Sequence, residues 1–305
     1  MTAHIISVLN MKGGVGKTTI TTNLAVELYN RGRKVLVIDV DPQFNSTQTL
    51  MKFYEGGLDQ YFQLQEDDRV LTRIFTSSNR NRGLATSDTK EFAHKSNNVI
   101  HNLSSNNELG SRLDIIPGDM RLIIDINDAA SDKFRSFVKK ENLRDNYDFV
   151  LIDCPPTWGQ LTSVALSTSD YYLIPTNLDE FSTIGITLLA ELLSDKVDSV
   201  DQSLKNLGVV YMFLKQNAAM DGIARSQKPF RTEIEDYLKN KMKDLVKSDV
   251  KPFETVFYDD SYFITQSALY FTTLAEEHRI DYKNKVKDLV DEILDRLKIL
   301  DSEGD

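Results

Sequence analysis

The sequence predicts an α/β fold: a doubly wound, mostly parallel sheet flanked by helices, in a single domain over residues 1–305. Two observations carry this expectation. Short, continuously apolar runs recur along the chain, as strands buried on both faces do. Stretches with helical spacing separate them, which is the alternation of a parallel sheet.

Residues 4–9 (HIISVL) read as the first strand, and a glycine-rich turn follows at once. Residues 17–31 then space Ile20, Leu24 and Leu28 for one helix face, with Ala25 and Val26 beside them. Gly32 closes that helix in the manner of a C′ glycine. Residues 35–38 (VLVI) are a buried strand, so the chain opens as a βαβ unit. Further strands are expected at 113–116, 149–152, 171–174, 207–214 and 253–257. Helices are expected near 131–144, 160–168, 182–197, 261–276 and 282–300. The segment 54–112 is a polar excursion rich in Ser, Asn, Thr and Asp. It is expected to hold short helices near 58–64 and 69–75 and a long surface loop over 76–112.

Composition narrows the function classes. With 41% hydrophobic and 27% charged residues the chain is ordinary for a globular protein. A single cysteine excludes an intramolecular disulfide and a cysteine-rich metal cluster within one chain. The opening MTAHIISVLNMKGG has no basic stretch followed by a long apolar one, so no signal peptide is expected. No apolar run approaches the length of a membrane span, and a cytoplasmic setting is expected. The net charge of −10 excludes a uniformly basic surface but not a local patch.

The chemistry concentrates in the turn after the first strand. Residues 11–18 read Met-Lys-Gly-Gly-Val-Gly-Lys-Thr, between a predicted strand and a predicted helix. That is the context of a phosphate-binding loop. Gly13, Gly14 and Gly16 let the backbone N–H groups converge, with Val15, Thr18 and Thr19 completing the cradle. The helix N-terminus adds its positive end. Lys17 is placed to reach β- and γ-phosphates, and the Thr18 hydroxyl to ligate Mg²⁺. Met11 stands where the usual pattern begins with glycine, and a second lysine, Lys12, follows it.

Two carboxylate-bearing strand ends follow. Residues 35–38 run into Asp39-Val40-Asp41-Pro42-Gln43, and residues 149–152 run into Asp153-Cys154-Pro155-Pro156. In parallel sheets, ligands bind beyond such strand ends. An apolar strand ending in Asp153 is the Walker B arrangement, in which the carboxylate holds Mg²⁺ through water. Cys154, alone beside a buried strand, is expected to serve packing.

KGGVGKTT resembles the deviant Walker A motif of the ParA/MinD family of ATPases. DVDPQ resembles that family's switch I, and DCPP its switch II. Pro175-Thr176, Glu180 and Gly185 in NLDEFSTIGITLL, and the later SALYFTTLAEE, are similar to further family stretches. The resemblance spans about 1–50, 113–215 and 255–300. It implies a P-loop NTPase that binds ATP and Mg²⁺ and forms an ATP-sandwich homodimer. Lys12 would cross to the nucleotide of the other subunit. There Lys12 would set its charge against the transferred phosphoryl, as an arginine finger does; Lys17 would serve catalysis from the β- and γ-phosphates, and Asp41 would orient the attacking water and help hold the metal, together with Thr18 and Asp153. The branch implied is ParA-like: a weak ATPase driving plasmid or chromosome segregation with a ParB-like centromere-binding partner that stimulates hydrolysis. Because three residues precede the first strand, an N-terminal helix-turn-helix domain is not expected. A positioning ATPase for a non-DNA cargo and a MinD-like membrane-associated regulator are the alternatives.

The C-terminal part bears on partners. Residues 282–300 are amphipathic, but acids interleave with lysines, so this helix is expected to pack on the core and not to bind membrane. Residues 225–251 hold eight basic residues. Among them Lys239, Lys243 and Lys247 fall at i, i+4 spacing, a candidate patch for non-specific DNA and hence for nucleoid association. Against this, FYDDSY at 257–262 is acidic where DNA-binding members often carry arginine.

Overall fold

The computed structural model describes residues 2–76, 98–126, 128–199, 204–216, 222–259, 269–270 and 276–302 of the 305. A seven-stranded sheet organises the chain in the order β3-β4-β2-β5-β1-β6-β7. The strands are β1 His4–Val8, β2 Lys34–Asp39, β3 His101–Asn106, β4 Ser111–Ile116, β5 Phe149–Asp153, β6 Tyr171–Thr176 and β7 Lys205–Tyr211. All neighbours pair in parallel except β3, which runs antiparallel to β4.

The continuous apolar runs have a direct cause. Successive strand residues point to opposite faces. In β2, Leu36 and Ile38 enter one hydrophobic core while Val35 and Val37 enter the other. Ile5 and Ile6 of β1 divide in the same way. One core packs α4 Thr72–Phe75, α6 Ala130–Lys140, α8 Gln160–Leu166, α9 Glu180–Ser199 and α10 Lys228–Tyr237. On that face also lie the short helices α5 Leu122–Asp125, α7 Leu143–Asn146 and α11 Lys243–Val246. The opposite core packs α1 Lys17–Asn30, α2 Asn45–Tyr54, α3 Asp59–Glu66 and α12 Glu276–Ser302. On α12 the predicted apolar face of Val286, Leu289, Val290, Ile293 and Leu297 is buried in that core.

Several expectations change. The predicted helix over 131–144 is divided into α6 and α7, because Asn142 takes a left-handed conformation at φ 49°. The surface loop expected over 76–112 contains β3, a polar edge strand with only Leu103 turned into the core. The strand expected at 253–257 is not a full ladder. Isolated bridges join Pro252 to Val209 and Tyr258 to Leu214. Between them the N–H groups of Glu254 and Thr255 turn to the Glu292 carboxylate at 2.9 and 2.8 Å. The predicted strand 207–214 ends at Tyr211, and two residues later Phe213 adopts φ 53°. Of the helix expected at 261–276, only Leu269, Tyr270 and Glu276 lie among the described residues. Residues 260–262 of FYDDSY lie outside them.

Candidate functional site

β1 lies between β5 and β6, so the chain returns through β2 on the far side of β5. This reversal opens a crevice above the C-terminal ends of the strands. The loop 9–16 fills it. Gly14 and Gly16 have φ 71° and 88°, values that side chains rarely tolerate. A Cβ on Gly16 would also stand 2.8 Å from Cε at the flexible tip of Met212, so that tip would have to shift while the left-handed φ disfavours any side chain there. Asn10 anchors the loop, its amide donating to the Pro175 carbonyl at 2.8 Å and its oxygen accepting the Lys12 N–H at 3.0 Å.

Lys17 begins α1, nearly buried, and its ammonium donates to the Lys12 carbonyl at 3.0 Å. Burial lowers its pKa, with Asp153 and Asp41 opposing. Thr18 donates its hydroxyl to Asp153 Oδ2 at 2.8 Å. Ser46, from the first turn of α2, donates to the same oxygen at 2.7 Å. Asp39 and Asp153 stand opposite each other in the β2–β5 register, both fully buried. Asp39 Oδ2 accepts the Thr47 N–H and hydroxyl, each at 2.8 Å. Burial pushes the Asp153 carboxyl up to about 6 and raises those of Asp39 and Asp41 as well. Asp41 accepts the Gln43 N–H at 2.9 Å, which fixes the switch-like turn. Phe44, at φ 42°, closes that turn and stacks on Tyr61 with ring centroids 5.1 Å apart.

These groups surround a cavity of about 230 Å³, lined by Gly13, Gly14, Gly16, Lys17, Thr18, Thr19, Asp41, Gln43, Asn45, Pro156 and Phe213. Val15 is buried beneath the loop. The residues present fit a polyphosphate with a divalent cation. Oδ1 of both Asp39 and Asp153 is buried without a hydrogen-bond partner, and Asp153 accepts the Thr18 hydroxyl that would join a metal shell. Among the described residues no group of three His, Cys, Asp or Glu side chains is placed to hold a metal alone. A cation here would therefore share its shell with phosphate oxygens and water, as Mg²⁺ does.

Lys12 points elsewhere. Its ammonium pairs with Asp179, at the N-terminal end of α9, and donates to Ser182 Oγ at 3.3 Å. It does not line the cavity. Asp179 also caps α9 by accepting the Ser182 N–H at 2.9 Å. Burial pushes its carboxyl up, but the Lys12 ammonium and the Ser182 N–H outweigh that and hold it below the ordinary range.

Lys239, Lys243 and Lys247 are exposed, but they do not form the continuous face expected. A π turn over Leu238–Met242 interrupts the helix, and Lys247 has left-handed backbone at φ 50° after α11 ends. Lys243 lies 3.9 Å from Asp249. Cys154 is buried in the core, where desolvation drives its thiol pKa far up.

Sequence reasoning missed Ser46, Thr47, Asp179 and Phe213. Ser46 and Thr47 directly follow the DPQFN turn, where a helix start could have been read. Asp179 carried a capping signal, since Asp is a favoured N-cap residue ahead of a helix. Phe213 had none, since only its backbone conformation brings it to the loop.

A glycine-rich loop between strand and helix, facing buried carboxylates at two neighbouring strand ends, defines a P-loop nucleotide-binding protein. The AAA_31 family model, an AAA domain, matches residues 3–206, and the chain belongs to this family as a ParA-like P-loop ATPase. It is 28% identical over 237 residues to the sporulation initiation inhibitor protein Soj of Bacillus subtilis, covering 75% of this chain and 81% of Soj. It is 27% identical over 217 residues to the chromosome partitioning protein ParA of Myxococcus xanthus, covering 70% and 66%. The solved structure of pNOB8 ParA bound to nonspecific DNA shares the fold, with a TM-score of 0.64 at 20% identity and coverage of 97% and 99%.

Proposed function

We propose that this protein is an ATP- and Mg²⁺-dependent dimerisation switch of the ParA type. It would segregate plasmid or chromosomal DNA with a DNA-bound, ParB-like partner that stimulates a weak intrinsic hydrolysis. The observation that carries the reading is the division of labour between two lysines of one loop. Lys17 faces the cavity with Thr18 and Asp41, while Lys12 leaves it for the edge formed by α9. A cation held at that edge would be available to a nucleotide on a second copy, where it would stabilise charge developing on the transferred phosphoryl. Phe181, Ile184 and Leu188 support this, forming an exposed apolar stripe on the first turns of α9 beside Asp179.

In this reading the loop N–H groups and Lys17 hold the β- and γ-phosphates. Asp41 orients the attacking water. Thr18 ligates Mg²⁺, and Asp153 holds it through water. Mg²⁺, when bound, would neutralise phosphate charge. The exposed lysines of 239–247 are the DNA contacts we propose, and a relative of the same fold was solved on nonspecific DNA. Among the described residues no helix is long and apolar enough to cross a membrane, and the apolar face of α12 is already packed. Localisation on the nucleoid is therefore favoured over the membrane.

Size-exclusion chromatography with ATP tests the switch. Asp41→Ala should bind ATP and accumulate as a dimer, because only water positioning is lost. Lys12→Ala should bind ATP as a monomer. A Lys12→Ala protein that dimerises and hydrolyses like the wild type would end the proposal.

A further inference from the structure

Phe44 holds its position against two local preferences. It is the N-cap residue of α2, where a side-chain oxygen commonly accepts an N–H of the first turn, and it makes no such bond. Its backbone sits at φ 42°, a left-handed conformation that a bulky L residue adopts only when its surroundings impose it. The surroundings do so from two sides. The Phe44 ring lies nearly parallel to that of Tyr61, at 13° and with centroids 5.1 Å apart. From the other side the chain after β4 comes very close. A Cβ on Gly118 would stand 3.0 Å from Phe44 Cβ and 2.9 Å from the Asp39 carbonyl oxygen. Tyr61 is itself fixed, fully buried in the same core as Leu50 and Met51 of α2 and Leu64 of α3.

The hydrogen bonds around residue 44 show what this conformation controls. The Phe44 N–H donates to the Asp41 carbonyl at 2.8 Å, and the Phe44 carbonyl accepts the Gln48 N–H at 3.0 Å. Residue 44 thus joins the turn that carries Asp41 to the helix that carries Ser46 and Thr47. Its two neighbours, Gln43 and Asn45, line the cavity together with Asp41. The Gln43 N–H donates to the Asp41 carboxylate at 2.9 Å, so the direction of that carboxylate follows the path of the turn. At the far end the turn is pinned. The Thr47 hydroxyl donates to Asp39 Oδ2 at 2.8 Å and accepts the Gly118 N–H at 2.9 Å. With one end pinned, a relaxation of φ at residue 44 is taken up at the Asp41 end. The stacked ring of Tyr61 is what opposes that relaxation.

We propose that Tyr61 is a positioning residue for ATP hydrolysis: its ring holds Phe44 in the left-handed turn that aims Asp41 into the nucleotide cavity. The inference rests on the reading of Asp41 as the group that orients the attacking water. It gives α3, an element of the polar excursion outside every phosphate-loop motif, a part in turnover. It gives α3 no part in holding ATP, because among the described residues those that line the cavity come from other segments. A displacement of about 1 Å at a catalytic group is enough to slow a reaction by about a hundredfold.

The test separates rate from affinity on the full chain, with Mg²⁺-ATP affinity read by calorimetry and hydrolysis by single-turnover kinetics. Tyr61→Leu keeps apolar bulk in the core and removes the ring. It should slow hydrolysis by about tenfold or more and leave ATP affinity within about twofold of the wild type. Phe44→Leu, at a half-buried position, should do the same, and it carries the test if the core variant does not fold. Tyr61→Phe keeps the ring face and should retain the wild-type rate, which a role for the hydroxyl would not allow. Wild-type rates in the Leu variants overturn the proposal. So does a loss of ATP affinity equal to the loss of rate, which would make Tyr61 a support for the whole site. If Asp41→Ala hydrolyses ATP like the wild type, the reading of Asp41 fails and the proposal falls with it. If Asp41→Ala is slow while both Leu variants are not, the proposal alone fails.

Discussion

Lys12 and Lys17 are five residues apart in one loop and have opposite surroundings. Lys17 is nearly buried among carboxylates, whereas Lys12 is partly exposed and tied to Asp179. With both partners partly exposed, that ion pair contributes only about 0–1 kcal/mol. In the proposed dimer it would therefore be a tether that a second copy can outcompete. Replacing Asp179 by Asn keeps an N-cap for α9 but removes the charge that holds Lys12. Asp179→Asn should dimerise at lower ATP concentration, by up to about fivefold, since 1.4 kcal/mol is a factor of ten. Analytical ultracentrifugation across an ATP titration measures this, and an unchanged or raised midpoint would remove the tether. The loop residues, Asp39, Asp41 and Asp153 were legible in the sequence because each lies within a short contiguous motif. Asp179, Ser46 and Phe213 were not, because they reach the site from distant segments through capping, helix position and an imposed φ.

At the scale of elements, the buried parallel strands were legible and the edges were not. β2 and β5 read as uninterrupted apolar runs because both faces of each are covered. β3 presents HNLSSN, which has no apolar pattern to find, because as an edge strand it touches the core through little more than Leu103. Segment 253–257 looked like a strand, yet Glu292 of α12 captures two of its N–H groups. The helix bearing the candidate DNA lysines was legible, but its π turn was not. A π turn bonds i to i+5, so residues four apart across it no longer stack. The three lysines should therefore contribute unequally. Lys239→Glu, Lys243→Glu, Lys247→Glu together should abolish non-specific DNA retention with ATP binding intact. For every lysine that truly meets a phosphate, its replacement should flatten the slope of log affinity against log salt by about 0.9. Lys243→Glu alone should do less than Lys239→Glu alone, because Asp249 already neutralises part of the Lys243 charge. Equal slopes for wild type and triple variant, measured by fluorescence anisotropy with ATP, would exclude this helix as the DNA-binding surface.

Over the whole molecule, the fold places Asp39, Asp41 and Asp153 together at the sheet top, with Lys17 as the facing cation. The arrangement suits a bound metal and works against stability without one. Asp153 has its folded pKa raised from 3.8 to about 6, mainly by burial. Between those values the folded chain holds a proton that the unfolded chain has released, so stability must fall as pH rises through the window. Asp39 and Asp41 shift in the same direction, again by burial. Asp179 and Asp249 are shifted down and act oppositely, but the Asp179 pair is partly exposed, the Asp249 pair largely so, and both contribute little. In EDTA, the wild type should therefore lose stability relative to Asp153→Asn as pH rises from about 4 to about 7. The difference should reach at most about 3 kcal/mol, two pKa shifts' worth at 1.36 kcal/mol each. Adding Mg²⁺ and ATP at neutral pH should reverse the order, because the cation then stabilises the ionised Asp153 that the Asn variant lacks. Denaturant melts of the two proteins across pH, with and without Mg²⁺ and ATP, measure both effects. Parallel stability curves in EDTA would mean that Asp153 is ionised in the folded, metal-free protein without penalty, and would remove the carboxylate cluster as a source of coupling between metal binding and fold stability.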